Sequence, residues 1–161
     1  MILSLLDTTI LSNFAHVQRP ELVQIALGAQ AVTTPMVIAE LNQGEALGLV
    51  PRVNWRWLSI LTLTAAEQAQ AADYQHVLDA GESECLAVAV LRQGRFLSDD
   101  LAARRLGQAN GVPISGTIGL LLLLLREKHL AIPEADRLLA MMKQQGYRAP
   151  VLSLQTYFED S

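Results

Sequence analysis

Short apolar segments alternate along this chain with longer segments of helical periodicity. The first apolar segment, residues 1–6, ends at Asp7 and predicts a buried strand that leads into a helix. Further strands are predicted at residues 31–34, 95–98 and 112–115. Because helical segments separate these strands, the pattern predicts a mainly parallel central sheet with helices on both faces, a three-layer α/β/α fold.

Proline, glycine and capping residues set the predicted limits of the helices. Thr64 and Glu67 form a capping-box pattern, and Gly81 is expected to break the helix that follows them. The alternating residues 53–61 are typical of an edge strand or a loop, and the tail from Val151 of a last strand or a short helix. The helices are predicted at residues 9–16, 20–28, 35–47, 65–79, 82–92, 101–109, 118–125 and 132–146.

The length and composition indicate a single domain over residues 1–161, of which 51% are apolar. Cys85 is the one cysteine of the chain, which excludes an internal disulfide and a zinc site of several thiolates. A reducing compartment, the cytoplasm, is therefore expected. The apolar run from Ile118 to Leu125 is far shorter than the roughly 18 residues of a membrane span, so it predicts a buried helix and no membrane role.

The formal net charge of −4 at first argues against a nucleic-acid partner. Six of the sixteen acidic residues, however, are candidates for one metal site: Asp7, Glu40, Glu82, Glu84, Asp99 and Asp100. Without these six, twelve basic residues stand against ten acidic ones, a net charge of +2. Ten of the twelve are arginine, which binds phosphate well, so the charge is compatible with an RNA partner.

These candidate acids lie in apolar surroundings near the predicted carboxyl edge of the sheet, where ligands bind in such folds. Asp7 and the pair Asp99-Asp100 follow predicted strands. Glu40 and Glu84 lie in helices that can reach the same edge, and no lysine or arginine is near them or Asp7 in sequence. Because buried carboxylates usually have a partner, a hard cation such as Mg²⁺ or Mn²⁺ is a suitable one. Such a cation acidifies a bound water and stabilises in-line displacement at phosphorus.

A second signal comes from five segments taken together. They are Asp7–Leu11, Thr34–Leu41, Gly81–Ala89, Leu97–Arg104 and Gly116–Gly119. In order and spacing these segments resemble the motifs of PIN-domain nucleases, and above all the branch with Gly-Glu-x-Glu and Asp-Asp-x-x-Ala-Arg. That branch is related to the VapC-type toxins of bacterial toxin–antitoxin pairs. The resemblance covers about residues 1–145 and leaves residues 146–161 as a C-terminal tail.

The resemblance implies a Mg²⁺- or Mn²⁺-dependent endoribonuclease that hydrolyses RNA. Its implied partners are an antitoxin protein and a second copy of the chain in a homodimer. The implied catalytic and metal-binding residues are Asp7, Glu40, Glu84, and Asp99 or Asp100, with Glu82 as an outer candidate. Positioning of substrate or water is expected from Thr8, Thr117 and Arg104.

The same acids have ordinary structural explanations. Aspartates that follow strands often cap helices, and glutamates in a first helical turn are favoured by the helix dipole. Two other functions also stay open. One is a phosphatase or phosphotransferase with Asp7 as nucleophile, although Thr9 stands where that chemistry usually has a second aspartate. The other is a non-catalytic PIN-like module for RNA binding or oligomerisation.

Overall fold

The computed structural model describes residues 1–158, whose strands form one five-stranded sheet. The strands are β1 (Ser4–Leu6), β2 (Ala31–Thr33), β3 (Ser59–Ile60), β4 (Arg95–Leu97) and β5 (Ile114–Ser115). They lie in the order β3-β2-β1-β4-β5, and every neighbouring pair is parallel. The predicted parallel sheet is therefore confirmed.

Eight α-helices lie between and after these strands in the described part of the chain. They are α1 (Thr8–His16), α2 (Glu21–Leu27), α3 (Pro35–Ala46), α4 (Ala65–Tyr74), α5 (Ala80–Leu91), α6 (Leu101–Ala109), α7 (Thr117–Arg126) and α8 (Ile132–Gln144). Helix α5 packs on β1 and β4 and contacts α3 and α4, whereas α7 contacts α2 and α8. The arrangement is that of the predicted three-layer α/β/α fold.

The central strand β1 shows why apolar runs become strands here. Leu5 and Leu6 are both fully buried, although their side chains point to opposite faces of the sheet. Leu5 pairs with Val32 on one side and with Phe96 on the other. A parallel sheet covered on both faces requires apolar side chains at every position of its inner strands, and β1 meets this requirement.

Strand order reverses at the gap between β1 and β4. From β1 the chain moves outward through β2 to β3, then returns to β4 on the other side and continues to β5. In parallel α/β sheets this reversal leaves a crevice beyond the carboxyl ends of the two strands, where ligands bind. The residues that directly follow β1 and β4 therefore occupy a favoured position for a functional site.

Two predicted elements differ from the structure. The helix expected over residues 65–79 ends at Tyr74, and Gly81 lies inside α5 rather than breaking a helix. Of residues 53–61, only Ser59 and Ile60 form a strand, at the sheet edge, and the remainder is loop. The tail contains a short 3₁₀-helix, Leu154–Phe158, which agrees with one of the two predictions for it.

The leucine-rich segment forms α7, in which Leu120, Leu121, Leu122 and Leu124 are buried. These side chains belong to the core, as the sequence predicts. No helix in residues 1–158 is long and apolar enough to span a membrane. Cys85 is also buried, in α5 against the sheet, where its thiol lies 3.6 Å from the Leu6 carbonyl oxygen.

A candidate carboxylate site at the carboxyl edge of the sheet

Asp7 follows the central strand and is the N-cap of α1. Its Oδ1 accepts hydrogen bonds from the backbone N–H groups of Thr9 (3.0 Å) and Ile10 (3.3 Å) and from the Thr9 hydroxyl (2.5 Å). The other oxygen, Oδ2, is buried and has no described atom in hydrogen-bond geometry, although Ser98 is near enough to lower the pKa of Asp7. The residue is only 1% exposed, and burial outweighs these donors and raises its pKa to about 7.

Asp99 follows β4, on the other side of the strand reversal, and its charge adds to the raised pKa of Asp7. Its Oδ1 accepts from the Thr117 backbone N–H (2.9 Å), and its Oδ2 accepts from the Thr117 hydroxyl (2.5 Å) and Asn13 Nδ2 (3.0 Å). Burial nevertheless raises the pKa of Asp99. The Thr9 hydroxyl, which donates to Asp7, accepts from the Asp99 backbone N–H at 2.9 Å and so ties the two strand ends together.

Glu82 lies in the first turn of α5, where the charges of three aspartates act on its carboxyl. It is 8% exposed. Burial and the negative charges of Asp79, Asp100 and Asp7 raise the pKa of Glu82 to about 8. Since no arginine or lysine among the described residues makes an ion pair with Glu82, its charge is uncompensated by the protein. The outer candidate of the sequence analysis is therefore within interaction range of Asp79, Asp100 and Asp7.

Glu84 lies two residues further along α5 and has a different partner. Its Oε1 accepts from the backbone N–H of Met36 at 2.8 Å. Met36 lies in the first turn of α3, where backbone N–H groups have no partner within the helix. The Glu84 carboxylate therefore caps α3 from outside, a structural role that differs from the first-turn position in its own helix that the sequence suggests.

Glu40 is a half-buried acid of α3 that is held in place from two sides. The Thr8 hydroxyl donates to its Oε2 at 2.7 Å, and the Gly81 backbone N–H donates to its Oε1 at 2.8 Å. Burial raises the pKa of Glu40, with smaller contributions from Asp79 and Glu84 that act against these two donors. A Cβ on Gly81 would lie 2.6 Å from Glu40 Oε2, so this glycine permits close approach of the carboxylate to α5. That contact is the physical reason why Gly81 does not act as a helix breaker.

Asp100 and Asp79 begin two of the helices around the site. Asp100 Oδ2 accepts from the Ala103 backbone N–H (2.9 Å) at the start of α6, and Asp79 Oδ1 accepts from that of Glu82 (2.8 Å) at the start of α5. Each uses one oxygen for capping in these bonds. Both residues line the same cleft as Glu40 and Asp99.

Four residues of the site are not singled out by the sequence analysis: Thr9, Asn13, Asp79 and Ser98. Two of them carry a readable signal. Asp79 and Glu82 form an Asp-x-x-Glu pattern before an apolar helix, and Asn13 is a lone amide in the apolar stretch 10–15. Thr9 contacts Asp99 and Ser98 acts on Asp7 across the two strand ends, and only the fold brings these residues together.

Two adjoining clefts open beside the acids. The acidic cleft, about 520 Å³, is lined by Thr8, Thr9, Ser12, Asn13, His16, Glu40, Asp79, Asp99, Asp100 and residues 145–148. The C-terminal cleft, about 760 Å³, shares Asp99, Asp100, Tyr147 and Arg148 with it and extends along α6 and α7. Arg104 lines this second cleft, where its Nη1 donates to the Ser98 carbonyl oxygen at 2.9 Å and its charge favours ionised Asp99. Thr117 is fully buried behind Asp99.

The chemistry of the donor set fits a hard divalent cation. No three His, Cys, Asp or Glu side chains within residues 1–158 are arranged as a ready metal site. Mg²⁺, however, is usually held by one or two carboxylates together with waters and substrate phosphate, so it does not need a complete protein cage. The buried carboxylate of Asp7 and the carboxylate of Glu82, neither of which has a described cationic partner, are groups that such a cation would satisfy.

Comparison with known proteins agrees with this architecture. No curated protein matches the chain closely enough to serve as a relative. A family model described as "DUF3368: PIN domain" matches residues 3–158. The match includes the segment beyond residue 145 that the sequence analysis leaves as a tail, so the lining of the C-terminal cleft up to Tyr157 falls within it. The sheet, the acids at its carboxyl edge and the family model lead to one conclusion: this chain is a PIN domain of the DUF3368 family, with a nuclease-type fold.

Proposed function

We propose that the protein is a Mg²⁺- or Mn²⁺-dependent endoribonuclease that hydrolyses RNA at the acidic cleft. The observation that carries the proposal is Asp7, whose fully buried carboxylate lies at the strand reversal with neutral donors only and makes no ion pair with any described arginine or lysine. Burial of an uncompensated carboxylate is costly, and bound metal is one of the few ways to offset that cost.

The acids divide into those that would hold the cation and those that position the site. We assign the cation to Asp7 and Glu82, and Asp100, which caps α6 with Oδ2, acts on Glu82 through its charge. Asp99 accepts three hydrogen bonds from α1 and α7, which fix its position. Its negative charge adds to that of Asp7. Glu40 is fixed by hydrogen bonds from Thr8 and Gly81. The resemblance to PIN-domain nucleases implies that Glu40 and Glu84 are also metal ligands, and both remain candidates.

A divalent cation in this position supplies Lewis-acid stabilisation of the phosphate and acidifies water. The protein orients that chemistry. The Thr9 hydroxyl fixes the Asp7 carboxylate relative to Asp99. Arg104 and Arg148 line the neighbouring cleft, where they would attract the RNA backbone. The mechanism requires no nucleophilic side chain, because water is the attacking group.

The phosphatase alternative finds little support in the site. Asp7 Oδ1 is engaged by three donors, and the position two residues on is Thr9, which donates to Asp7 itself. Neither Lys128 nor Lys143 is among the residues that line the two clefts. The toxin role, the antitoxin partner, the homodimer and the cytoplasmic location stay predictions from resemblance and composition.

An RNA cleavage assay tests the proposal. A mixed RNA pool is incubated with the protein in Mn²⁺, Mg²⁺ or EDTA, and Asp7→Asn is compared with the control Asp73→Asn, an exposed acid of α4 away from both clefts. Asparagine also caps helices well, so Asp7→Asn retains the fold while it removes the charge. We expect metal-dependent cutting that falls about 100-fold or more in Asp7→Asn, a loss of about 3 kcal/mol of transition-state stabilisation, and is unchanged in Asp73→Asn. Absence of cutting by the wild type in either metal, or equal cutting by Asp7→Asn, would overturn it.

A further inference from the structure

The C-terminal cleft is a second concave surface that continues from the acidic cleft. Its volume of about 760 Å³ falls within the range of ligand sites, and Asp99 and Asp100 form its boundary with the acids. Tyr147 and Arg148 line both clefts, so a chain that leaves the acids along this path passes directly over them.

Cationic groups are placed on this path. Arg104 is half-buried and held by the Ser98 carbonyl oxygen through Nη1, which fixes its guanidinium beside the Asp99 carboxylate. Arg148 is exposed, and no acid within the described residues pairs with it. An arginine that the protein leaves unpaired at the mouth of a cleft is available to a phosphate.

Aromatic side chains accompany these cations. Tyr147 is half-buried, and Tyr157 is 41% exposed. Both line the cleft, and Tyr157, Asp99 and Arg104 all lie near enough to affect the pKa of the Tyr147 phenol, which burial raises. Tyrosine next to arginine in a groove is the combination that binds unpaired bases and their phosphates.

The segment that carries Tyr157 is anchored rather than loosely attached. Leu154 is fully buried, and the Asp136 carboxylate of α8 accepts from the Ser153 hydroxyl (2.7 Å) and from the Leu154 backbone N–H (2.8 Å). These contacts fix the 3₁₀-helix that follows and hold Tyr157 at the cleft. Because this part of the cleft is already fixed, little conformational entropy is lost when a ligand binds against it.

We propose that the C-terminal cleft binds one nucleotide of a single-stranded RNA next to the bond that is cut, with Tyr147 and Tyr157 contacting its base and Arg104 and Arg148 its phosphate. This inference rests on the proposed ribonuclease function and names the substrate class of that site. A base must be unstacked to lie against a tyrosine ring, so the cleft selects a single strand or a loop over a regular duplex.

The test measures RNA binding without cutting. A fluorescein-labelled single-stranded oligoadenylate is titrated with the full chain in EDTA at low salt and followed by fluorescence anisotropy. The variants are Tyr157→Leu, Tyr157→Phe and Arg148→Gln, and the matched control is Arg137→Gln, an exposed arginine of α8 outside both clefts. We expect binding about fivefold or more weaker in Tyr157→Leu and near wild type in Tyr157→Phe, which keeps the ring. The slope of the logarithm of the binding constant against the logarithm of the salt concentration should fall in magnitude by about one in Arg148→Gln. The control Arg137→Gln should leave this slope unchanged.

Because EDTA removes metal, this result is independent of cleavage. Wild-type affinity in both Tyr157→Leu and Arg148→Gln would overturn the cleft as a nucleotide site, even if the protein cuts RNA. Equal weakening by Arg137→Gln would also overturn it, since binding would then follow overall charge. Weakening confined to the cleft variants in a protein that never cuts RNA would support the binding site and reject the nuclease.

Discussion

Glu67 and Asp7 are both buried carboxylates at helix N-termini, yet the protein treats them in opposite ways. Glu67 is 3% exposed and accepts from Arg92 Nε (2.7 Å) and Nη2 (3.0 Å) and from the Thr64 backbone N–H (2.9 Å). These partners lower the pKa of Glu67. Asp7 is 1% exposed, has neutral donors and no cationic partner among the described residues, and burial raises its pKa to about 7.

The difference separates an acid with a structural partner from one that we propose to be functional. Around Glu67 the chain supplies the countercharge itself, and the capping box and ion pair hold α4 next to α5. At the carboxyl edge of the sheet the chain concentrates acids and omits the countercharge. Such a site lowers stability by itself and is typical of a position where the missing cation is an external ligand.

The largest expected effect is on activity. Glu82→Gln removes one charge from the two acids to which we assign the cation, so RNA cleavage in Mn²⁺ should fall about 100-fold or more. Glu67→Gln makes the same chemical change in the paired acid and should leave cleavage per folded molecule within about twofold, since Glu67 pairs with Arg92 and none of the candidate acids affects its pKa. Single-turnover rates with one RNA substrate measure both. A comparable loss in the two variants would remove the distinction between the two regions.

The next effect is on stability, with opposite signs. Glu67→Gln leaves Arg92 without its partner and should lower the free energy of unfolding by about 2 kcal/mol, less than for a fully buried pair because Arg92 is 31% exposed. Asp7→Asn removes an uncompensated buried charge and should raise the free energy of unfolding by about 3 kcal/mol at about pH 8 without metal. Urea unfolding in EDTA gives both values. Destabilisation by Asp7→Asn under these conditions would show that its charge is compensated after all.

A smaller effect is the pH dependence of the metal-free protein. In the folded protein Asp7 keeps its proton up to about pH 7 and Glu82 up to about pH 8. In the unfolded chain the same carboxyls lose their protons near their ordinary pKa values of 3.8 and 4.5. Stability is therefore greatest at low pH and falls as the pH rises from 3.8 to about 7 for Asp7 and from 4.5 to about 8 for Glu82. Glu67, with its lowered pKa, contributes in the opposite direction and loses its contribution only in acid.

Thermal unfolding in EDTA should consequently show a lower Tm at about pH 8.5 than at about pH 5.5, by roughly 5–10 °C. Asp7→Asn should make this slope shallower and leave the part that belongs to Glu82, and Glu67→Gln should leave it unchanged. A Tm that rises over the same interval, or an equally steep slope in Asp7→Asn, would contradict the assignment of the titrating groups.

The fold could be predicted because its signals are local. Apolar runs such as residues 1–6 become buried strands, and Pro35, Thr64 and Gly28 mark helix ends within a residue or two of the observed ones. Gly81 was misleading because glycine serves both at helix ends and at close contacts, and only the tertiary contact with Glu40 distinguishes the two roles.

For the site, the sequence predicts the edge of the sheet at which it lies but not which of the acids there face each other. Residues that follow neighbouring parallel strands must meet, so Asp7 and Asp99 are accessible to sequence reasoning. Glu82 and Glu84 are two positions apart on α5, about 200° around the helix, so they cannot both face Asp7. Both precede the same apolar stretch, and the sequence offers no local reason to prefer Glu82. The C-terminal cleft depends on long-range contacts of Leu154 and Asp136, which leave no pattern in the chain.

Direct Mn²⁺ binding is the measurement that tests the central claim most closely. Isothermal titration calorimetry of the wild type, Asp7→Asn and Glu67→Gln with Mn²⁺ at about pH 8 requires neither RNA nor turnover. The account predicts that the wild type and Glu67→Gln bind Mn²⁺ with the same affinity, and that Asp7→Asn loses about tenfold or more. No binding by the wild type, or equal binding by Asp7→Asn, would contradict the claim that the uncompensated acids form a metal site.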